Sequence, residues 1–288
     1  MKAGDIKNVG VLGAGTMGHG IAQVAAAGGL SVILYDIEGG FLERARARIA
    51  RSLERLVKHE KMTDAEASQA RERIRTTLEL EEACREADIV IEAIPEVLEL
   101  KQKVFAQVDE FSPAHAILAS NTSQLSVTTL AAATRRPGQV IGMHWFNPPP
   151  LMKLIEIVVA VQTSPETLET VKELSRRLGK TPVVCRDAQG FITTRALTAF
   201  LVECYRIYEE GVASAEDIDE AIRLGLNHPM GPLQLSDFVG LDTIAHICDS
   251  LVVAYGDRFR PPQTLVNLVR AGRHGAKSGR GFFSHEKK

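Results

Sequence analysis

The sequence is short of cysteine, of aromatic residues, of net charge and of long apolar runs. Its 288 residues include four cysteines and no CxxC pair, which favours the reduced thiols of a cytoplasmic protein over a disulfide framework. The formal net charge of −2 gives no sign of a nucleic-acid-binding protein. No apolar run reaches about 18 residues, so we expect no membrane span. The sequence shows no Arg-rich presequence, so an organelle address is unsupported.

Metal-binding patterns are also missing. No set of His, Cys, Asp and Glu residues has the spacing of a metal site, so we expect no metal. Four of the histidines, His59, His115, His274 and His285, read as surface residues. The remaining composition, 45% apolar and 24% charged, is typical of a globular protein. A chain of 288 residues is long enough for two domains, each with its own core.

The most informative stretch is residues 9–29, VGVLGAGTMGHGIAQVAAAGG, in which an apolar strand runs into a glycine-rich turn that opens a helix. Gly13 permits a tight turn, Gly15 lets the backbone approach a pyrophosphate, and Gly18 lets the helix pack closely on the strand. The free N–H groups and the dipole at the helix start attract negative charge. The pattern predicts a dinucleotide site whose turn residues are Gly13, Gly15, Thr16, Met17 and Gly18.

A second strand, SVILYDIE, carries Asp36, which lies 18 residues beyond Gly18. An acid at this position accepts hydrogen bonds from a ribose 2′-hydroxyl, and its charge repels a 2′-phosphate. No arginine follows it directly. Asp36 therefore favours NAD over NADP as the cofactor.

The two parts of the chain have different patterns. Up to residue 186, β-branched strands alternate with amphipathic helices, which predicts a doubly wound Rossmann-type sheet with parallel early strands and later strands free to run antiparallel. Residues 187–288 show helical spacing only, with an N-cap candidate at Ser214, and predict an all-α domain. The predicted strands are Ile6–Leu12, Ser31–Tyr35, Asp88–Ala93, Ala116–Ala119, Val140–Met143, Leu154–Val159 and Pro182–Cys185.

A candidate acid–base pair lies in the segment QVIGMHWFNPPPLMKLIEI. His144 stands where a strand meets three consecutive prolines, and Glu156 lies within the next apolar strand. A carboxylate buried alone is costly, so Glu156 needs a partner, and a returning chain would bring it to His144. Such a pair fixes the imidazole tautomer and stabilises the imidazolium. By spacing alone, a structural role for His144 is equally compatible with the pattern.

Short polar side chains follow another strand, in the segment ASNTSQLSV. Asn121, Thr122 and Ser123 stand at its carboxyl end, where ligands bind in open α/β sheets. One interpretation is contact with the nicotinamide ribose and a substrate oxygen. The other is helix capping by Ser123 or Ser126.

Together, the glycine turn, SNTSQLSV, HWFNPPPLMKLIE, GPLQLSDFVGLD and KSGRGFF resemble the short-chain L-3-hydroxyacyl-CoA dehydrogenase family, of the 3-hydroxybutyryl-CoA dehydrogenase type, over nearly the whole chain. The resemblance implies that His144 is the catalytic base, that Glu156 is its partner and that Ser123 bonds the substrate oxygen. It places Asp36 at the adenosine ribose and Glu96, Lys101 and Asn121 near the nicotinamide half. It also implies a homodimer built through the helical domain, with a place in fatty acid metabolism.

One position departs from the family pattern. The family reads GFIVNR at the start of the second domain and uses the asparagine in the active site, whereas this chain reads GFITTR and has Thr194 there. Threonine lacks the reach of the amide and one hydrogen-bonding group, so we expect a working but slower enzyme. The alternatives are a sugar-acid dehydrogenase of the L-gulonate type and a nonenzymatic NAD-binding paralogue.

A basic stripe runs along the predicted helix FLERARARIARSLERLVKHEK, opposite an apolar face. A solvated surface explains most of it. Coenzyme A carries several phosphate charges, and the carboxyl end of the stripe, Lys58 and Lys61, is the predicted acyl-CoA contact.

Overall fold

The computed structural model describes residues 2–285. Its chain divides into two compact units, one ending at Ala188 and the other beginning at Gln189. The first unit contains one eight-stranded sheet in the order β3-β2-β1-β4-β5-β6-β7-β8. The strands are β1 (Asn8–Leu12), β2 (Ser31–Tyr35), β3 (Ile74–Thr77), β4 (Ile89–Glu92), β5 (Ile117–Ser120), β6 (Val140–Trp145), β7 (Leu154–Val159) and β8 (Thr181–Arg186).

Seven helices belong to the first unit and five to the second among residues 2–285, apart from short 3₁₀ turns. The sheet unit contains α1 (Gly18–Ala27), α2 (Gly39–Lys58), α3 (Asp64–Glu72), α4 (Leu80–Cys84), α5 (Leu98–Phe111), α6 (Val127–Ala131) and α7 (Pro165–Arg177). The helical unit contains α8 (Thr193–Glu209), α9 (Ala215–Gly225), α10 (Pro232–Val239), α11 (Leu241–Tyr255) and α12 (Gln263–Arg270). The predicted fold class, a doubly wound α/β sheet followed by an all-α part, is confirmed.

Sheet topology explains where polar groups meet. Neighbouring strands are parallel except β6 and β7, which pair antiparallel, as the sequence allowed for its later strands. The amino end of β7 therefore lies at the same edge as the carboxyl ends of β1, β4, β5 and β6. This is the edge at which open α/β sheets bind ligands.

Two strand predictions need correction. The sequence gives no strand at β3, because its four residues, Ile74–Thr77, contain one apolar side chain and show no apolar run. The strand predicted at Val140–Met143 continues to Trp145, so His144 lies within β6 rather than after it. Antiparallel pairing with β7 extends that strand through Trp145, whose partner is Ile155.

Helix signals in the sequence are largely confirmed. Ser214 caps α9 by accepting a hydrogen bond from the Asp217 N–H, and Ser126 rather than Ser123 caps α6. In α2 the apolar face is buried and the basic stripe is exposed. His274 and His285, which the sequence places on the surface, are half-buried.

Within residues 2–285, no single helix is long and apolar enough to cross a membrane. The helices Pro232–Val239 and Leu241–Tyr255 reach that length and composition only as a pair, and they are bent by 97°.

Candidate active site

The glycine turn joins β1 to α1 with the geometry that its three glycines permit. Gly13 has a φ of 94°, and a Cβ there would lie 2.6 Å from the Ala93 carbonyl oxygen. A Cβ on Gly18 would lie 1.7 Å from the Gly13 carbonyl oxygen, so only glycine lets the helix begin so close to the turn. Around the Cβ position of Gly15 the space is open within 4 Å. The turn thus leaves a cradle beside Gly15 that a side chain would fill.

Asp36 fastens this turn to the end of β2. Its Oδ2 accepts a hydrogen bond from the Ala14 N–H at 2.7 Å, and the Gly13 N–H donates to the Tyr35 carbonyl at 2.8 Å. Thr16 is exposed, and Met17 and Asp36 are half-buried at the same turn. A backbone cradle that is open at Gly15, with a carboxylate beside it, fits the pyrophosphate and ribose of a dinucleotide.

His144 and Glu156 face each other across the antiparallel ladder of β6 and β7. They are direct register partners, and His144 Nδ1 lies 2.7 Å from Glu156 Oε2. His144 is 7% exposed and Glu156 is 0% exposed. The Phe146 ring packs against the imidazole, with 4.6 Å between ring centroids. The sheet therefore brings together the two side chains that the sequence pairs, in an apolar setting that strengthens their interaction.

Asn121 lies beside this pair because it follows β5, the neighbour of β6. Its Oδ1 accepts a hydrogen bond from the Trp145 N–H at 2.9 Å. This contact joins the polar segment after β5 to the strand that carries His144. Asn121 and Ser123 are both half-buried.

Glu96 organises the segment around Ser123. One of its oxygens, Oε1, accepts from Thr122 Oγ1 at 2.5 Å, from the Ser123 N–H at 2.9 Å and from Ser123 Oγ at 3.4 Å. The other oxygen, Oε2, lies 3.2 Å from Lys101 Nζ. Lys101 is 1% exposed and is held between two carboxylates, so its position is that of a buried ion-pair partner.

Glu92 is a buried site residue that the sequence reasoning passes over. It is the last residue of β4, is 1% exposed and lies 2.5 Å from Lys101 Nζ. Burial raises the pKa of its carboxyl, while Lys101, Ser120 and the Ile94 N–H act in the opposite direction. The signal that found Glu156, a carboxylate inside an apolar strand, is also present in the stretch DIVIEAI.

Other predicted residues lie elsewhere. Lys58 ends α2 and Lys61 follows it, and both are exposed. Thr194 is half-buried in the first turn of α8, in the helical unit, where its carbonyl accepts a hydrogen bond from Thr198 Oγ1 at 2.7 Å. Among residues 2–285, no group of three or more His, Cys, Asp or Glu side chains is arranged to hold a metal ion.

Comparison with known proteins places these features in context. Residues 8–188 match the family model of the 3-hydroxyacyl-CoA dehydrogenase NAD-binding domain, and residues 190–285 match that of the 3-hydroxyacyl-CoA dehydrogenase C-terminal domain. A probable 3-hydroxybutyryl-CoA dehydrogenase of Bacillus subtilis is 46% identical over 285 residues, with 99% of each chain covered.

Similarity extends to a mammalian protein and to a solved structure. The mitochondrial hydroxyacyl-coenzyme A dehydrogenase of Sus scrofa is 42% identical over 288 residues, which cover 98% of this chain and 92% of that one. The crystal structure of an (S)-3-hydroxybutyryl-CoA dehydrogenase from Ralstonia eutropha superposes with a TM-score of 0.94 at 42% identity, covering 98% of this chain and 100% of the other.

Proposed function

The chain belongs to the 3-hydroxyacyl-CoA dehydrogenase family, and from this premise we propose that it oxidises short-chain L-3-hydroxyacyl-CoA to 3-ketoacyl-CoA and catalyses the reverse reduction. The proposed substrate is 3-hydroxybutyryl-CoA. The single observation that carries the proposal is the buried His144–Glu156 pair at the ligand-binding edge of the sheet. It supplies the acid–base group that interconversion of an alcohol and a ketone requires.

The first unit is the proposed NAD-binding domain. The Gly13–Gly18 turn would hold the pyrophosphate, and Asp36 would hold the adenosine ribose. When bound, NAD supplies the hydride acceptor. Asp36 supports NAD rather than NADP, because its carboxylate repels an added 2′-phosphate.

His144 is the proposed acid–base residue. Its Nδ1 bonds to Glu156, and since a carboxylate only accepts, that nitrogen carries a proton. The neutral ring then presents the lone pair of Nε2, which takes the proton from the C3 hydroxyl during oxidation. Glu156 holds the ring orientation and stabilises the positive charge that develops on it. In the reduction, Nε2 returns that proton to the oxygen.

Ser123 and Asn121 are the proposed positioning groups. The Ser123 hydroxyl would donate to the substrate oxygen, which its long 3.4 Å contact with Glu96 leaves it able to do. Asn121, fixed by the Trp145 N–H, would act near the nicotinamide half together with Glu96. Lys101 would act there through the carboxylates that it contacts. Thr194 takes the place of the family's asparagine as a weaker contributor.

The helical unit is the proposed substrate and dimerisation domain. Lys58 and Lys61 of the first unit would contact the phosphates of coenzyme A. Exposed apolar side chains in the helical unit support self-association, which light scattering of the purified protein tests. Those most exposed are Ile192, Val212, Leu224, Leu226, Phe238, Val239 and Val253.

The decisive experiment measures NADH consumption by the purified protein with acetoacetyl-CoA. We expect turnover with NADH and a rate lower by about tenfold or more with NADPH, because of the charge on Asp36. Parallel assays with a longer 3-ketoacyl-CoA define the chain-length preference. Oxidation of L-gulonate with no turnover of acyl-CoA would select the sugar-acid alternative. Binding of NADH without turnover of either substrate would contradict the proposal altogether.

A further inference from the structure

Glu92 connects three separate segments beneath the polar site. Its Oε1 lies 2.5 Å from Lys101 Nζ of α5 and accepts from the Ile94 N–H at 2.8 Å. Its Oε2 accepts from Ser120 Oγ of β5 at 2.6 Å. We propose that Glu92 is a positioning residue for the dehydrogenase reaction, acting on Ser123 through Lys101 and Glu96. This inference rests on the proposed role of Ser123.

The first link is Lys101. Its ammonium group has three protons, and three oxygens surround it: Glu92 Oε1 at 2.5 Å, the Ile94 carbonyl at 3.1 Å and Glu96 Oε2 at 3.2 Å. An ammonium group on a side chain that is 1% exposed is costly to bury without such compensation. Glu92 therefore fixes the position of the Lys101 ammonium group.

The second link is Glu96. Its side chain is 30% exposed and could otherwise turn towards solvent, but its Oε2 is held by Lys101. With Oε2 fixed, Oε1 reaches Thr122 Oγ1 and the Ser123 N–H. The Ser123 backbone N–H is thereby held at 2.9 Å from Glu96 Oε1, while the Ser123 hydroxyl makes the longer contact of 3.4 Å.

A second route joins Glu92 to the same segment through β5. Ser120 Oγ donates to Glu92 Oε2 and accepts from the Thr122 N–H at 3.2 Å. The Asn121 N–H also donates to the Glu92 backbone carbonyl at 2.8 Å. Both ends of the short segment 120–123 thus depend on the position of Glu92.

Glu92→Gln changes the charge but little of the volume. Of the two carboxylates seen at Lys101, it leaves Glu96, and it puts amide protons where Glu92 accepted from Ser120 or Lys101. Glu96 is then drawn towards Lys101 and away from Ser123. We expect kcat for acetoacetyl-CoA reduction to fall about 10- to 100-fold, the range for loss of a preorganised contact, with KM changed less than about threefold.

A double-mutant cycle separates positioning from general destabilisation. Glu92→Gln, Ser123→Ala and the double variant are compared for kcat/KM, with NADH binding measured by fluorescence titration and folding by thermal unfolding. If Glu92 acts through Ser123, Glu92→Gln loses most of its effect in the Ser123→Ala background. NADH affinity, to which the glycine turn and Asp36 also contribute, should fall much less than kcat/KM in all three.

Asp109→Asn is the matched control. Like Glu92, Asp109 is a buried carboxylate, 4% exposed; it lies on α5 and pairs with Arg135 and Arg136, outside the segment 120–123. Asp109→Asn should lower the thermal stability, and its effect on kcat/KM should not be coupled to that of Ser123→Ala. If Glu92→Gln does not fold, the cycle is run with Glu92→Asp, which keeps the charge and moves it back by one methylene.

The outcomes are distinct. Additive losses for Glu92 and Ser123 variants overturn the positioning role of Glu92 and leave the proposed function intact. Full activity in Ser123→Ala overturns the role of Ser123, and this inference with it. A fall in NADH affinity equal to the fall in kcat/KM assigns Glu92 to cofactor binding instead.

Discussion

A buried histidine–carboxylate pair of the sheet unit and a pair of the helical unit have nearly the same length but different surroundings. His144 Nδ1 lies 2.7 Å from Glu156 in the sheet unit, and His285 Nε2 lies 2.8 Å from Asp237 in the helical unit. Both carboxylates are buried. The separation of the two groups therefore cannot identify which pair performs chemistry.

The remaining bonds of the second pair distinguish it. Asp237 also accepts from the backbone N–H groups of Phe282 and Phe283, each at 2.9 Å, and so fastens the chain after α12 to α10. Glycine at positions 275 and 281 lets this segment approach, since a Cβ at either would lie about 2 Å from an Asp237 atom. Asp237 serves mainly backbone amides, which is a structural task.

The first pair is organised by the sheet. His144 and Glu156 are register partners on strands whose ends meet at the ligand-binding edge, where Asn121 bonds to the Trp145 N–H. In the sheet unit, Glu156 binds the titratable side chain of His144, and Glu92 binds that of Lys101. Buried acids with titratable partners at a sheet edge are therefore better candidates for function than acids that bind amides.

The largest expected effect distinguishes the two histidines, His144 and His285. His144→Gln should lower kcat by about 10³-fold, within the range for loss of a general base, while NADH still binds. His285→Gln is the control and should retain the activity of the unchanged protein. Steady-state reduction of acetoacetyl-CoA measures both. Near-normal turnover in His144→Gln would refute the assignment of the base.

The carboxylates provide the next comparison. Glu156→Gln should lower kcat by about 10²-fold, because a neutral amide neither stabilises the imidazolium nor enforces the tautomer. Asp237→Asn should instead destabilise the protein by about 1–3 kcal/mol, since it weakens the acceptor of buried N–H groups. Assays of kcat together with thermal unfolding separate the two effects. If Glu156→Gln lost stability and Asp237→Asn lost kcat, the surroundings of a pair would not predict which pair performs chemistry.

The sequence predicts the first pair and not the second for a physical reason. Glu156 stands out because an apolar strand surrounds it, and His144 because prolines follow it. Asp237 and His285 are 48 residues apart, and no periodicity joins them. The family resemblance places Lys101 near the nicotinamide half, but no local pattern shows that Glu92 and Glu96 contact its ammonium group. Pairing across elements depends on topology, which local patterns do not contain.

Charge reversal compares two pairs of exposed lysines in the sheet unit, one proposed to contact coenzyme A and one not. Replacing Lys58 and Lys61 with Glu should raise KM for acetoacetyl-CoA by about tenfold, because two attractive charges become repulsive towards phosphate. The kcat should change little. Lys2 and Lys7, which are also exposed, provide a matched double Lys→Glu control. The effect should shrink at high salt, and an unchanged KM at low salt would remove CoA contact from these lysines.

The smallest expected effect concerns Thr194 of the helical unit and tests whether this position contributes to the reaction. Thr194→Asn restores the family's residue at the start of α8, and one additional hydrogen bond is worth about 1 kcal/mol, so kcat/KM should rise several-fold. Thermal unfolding checks that stability is unchanged, which we expect because the substitution keeps the Thr194 backbone carbonyl that accepts from Thr198 Oγ1. A rise confined to kcat would indicate a contact made in the transition state, and a fall in KM alone would indicate uniform substrate binding. No change with any acyl-CoA would mean that this chain does its chemistry without a contribution from position 194.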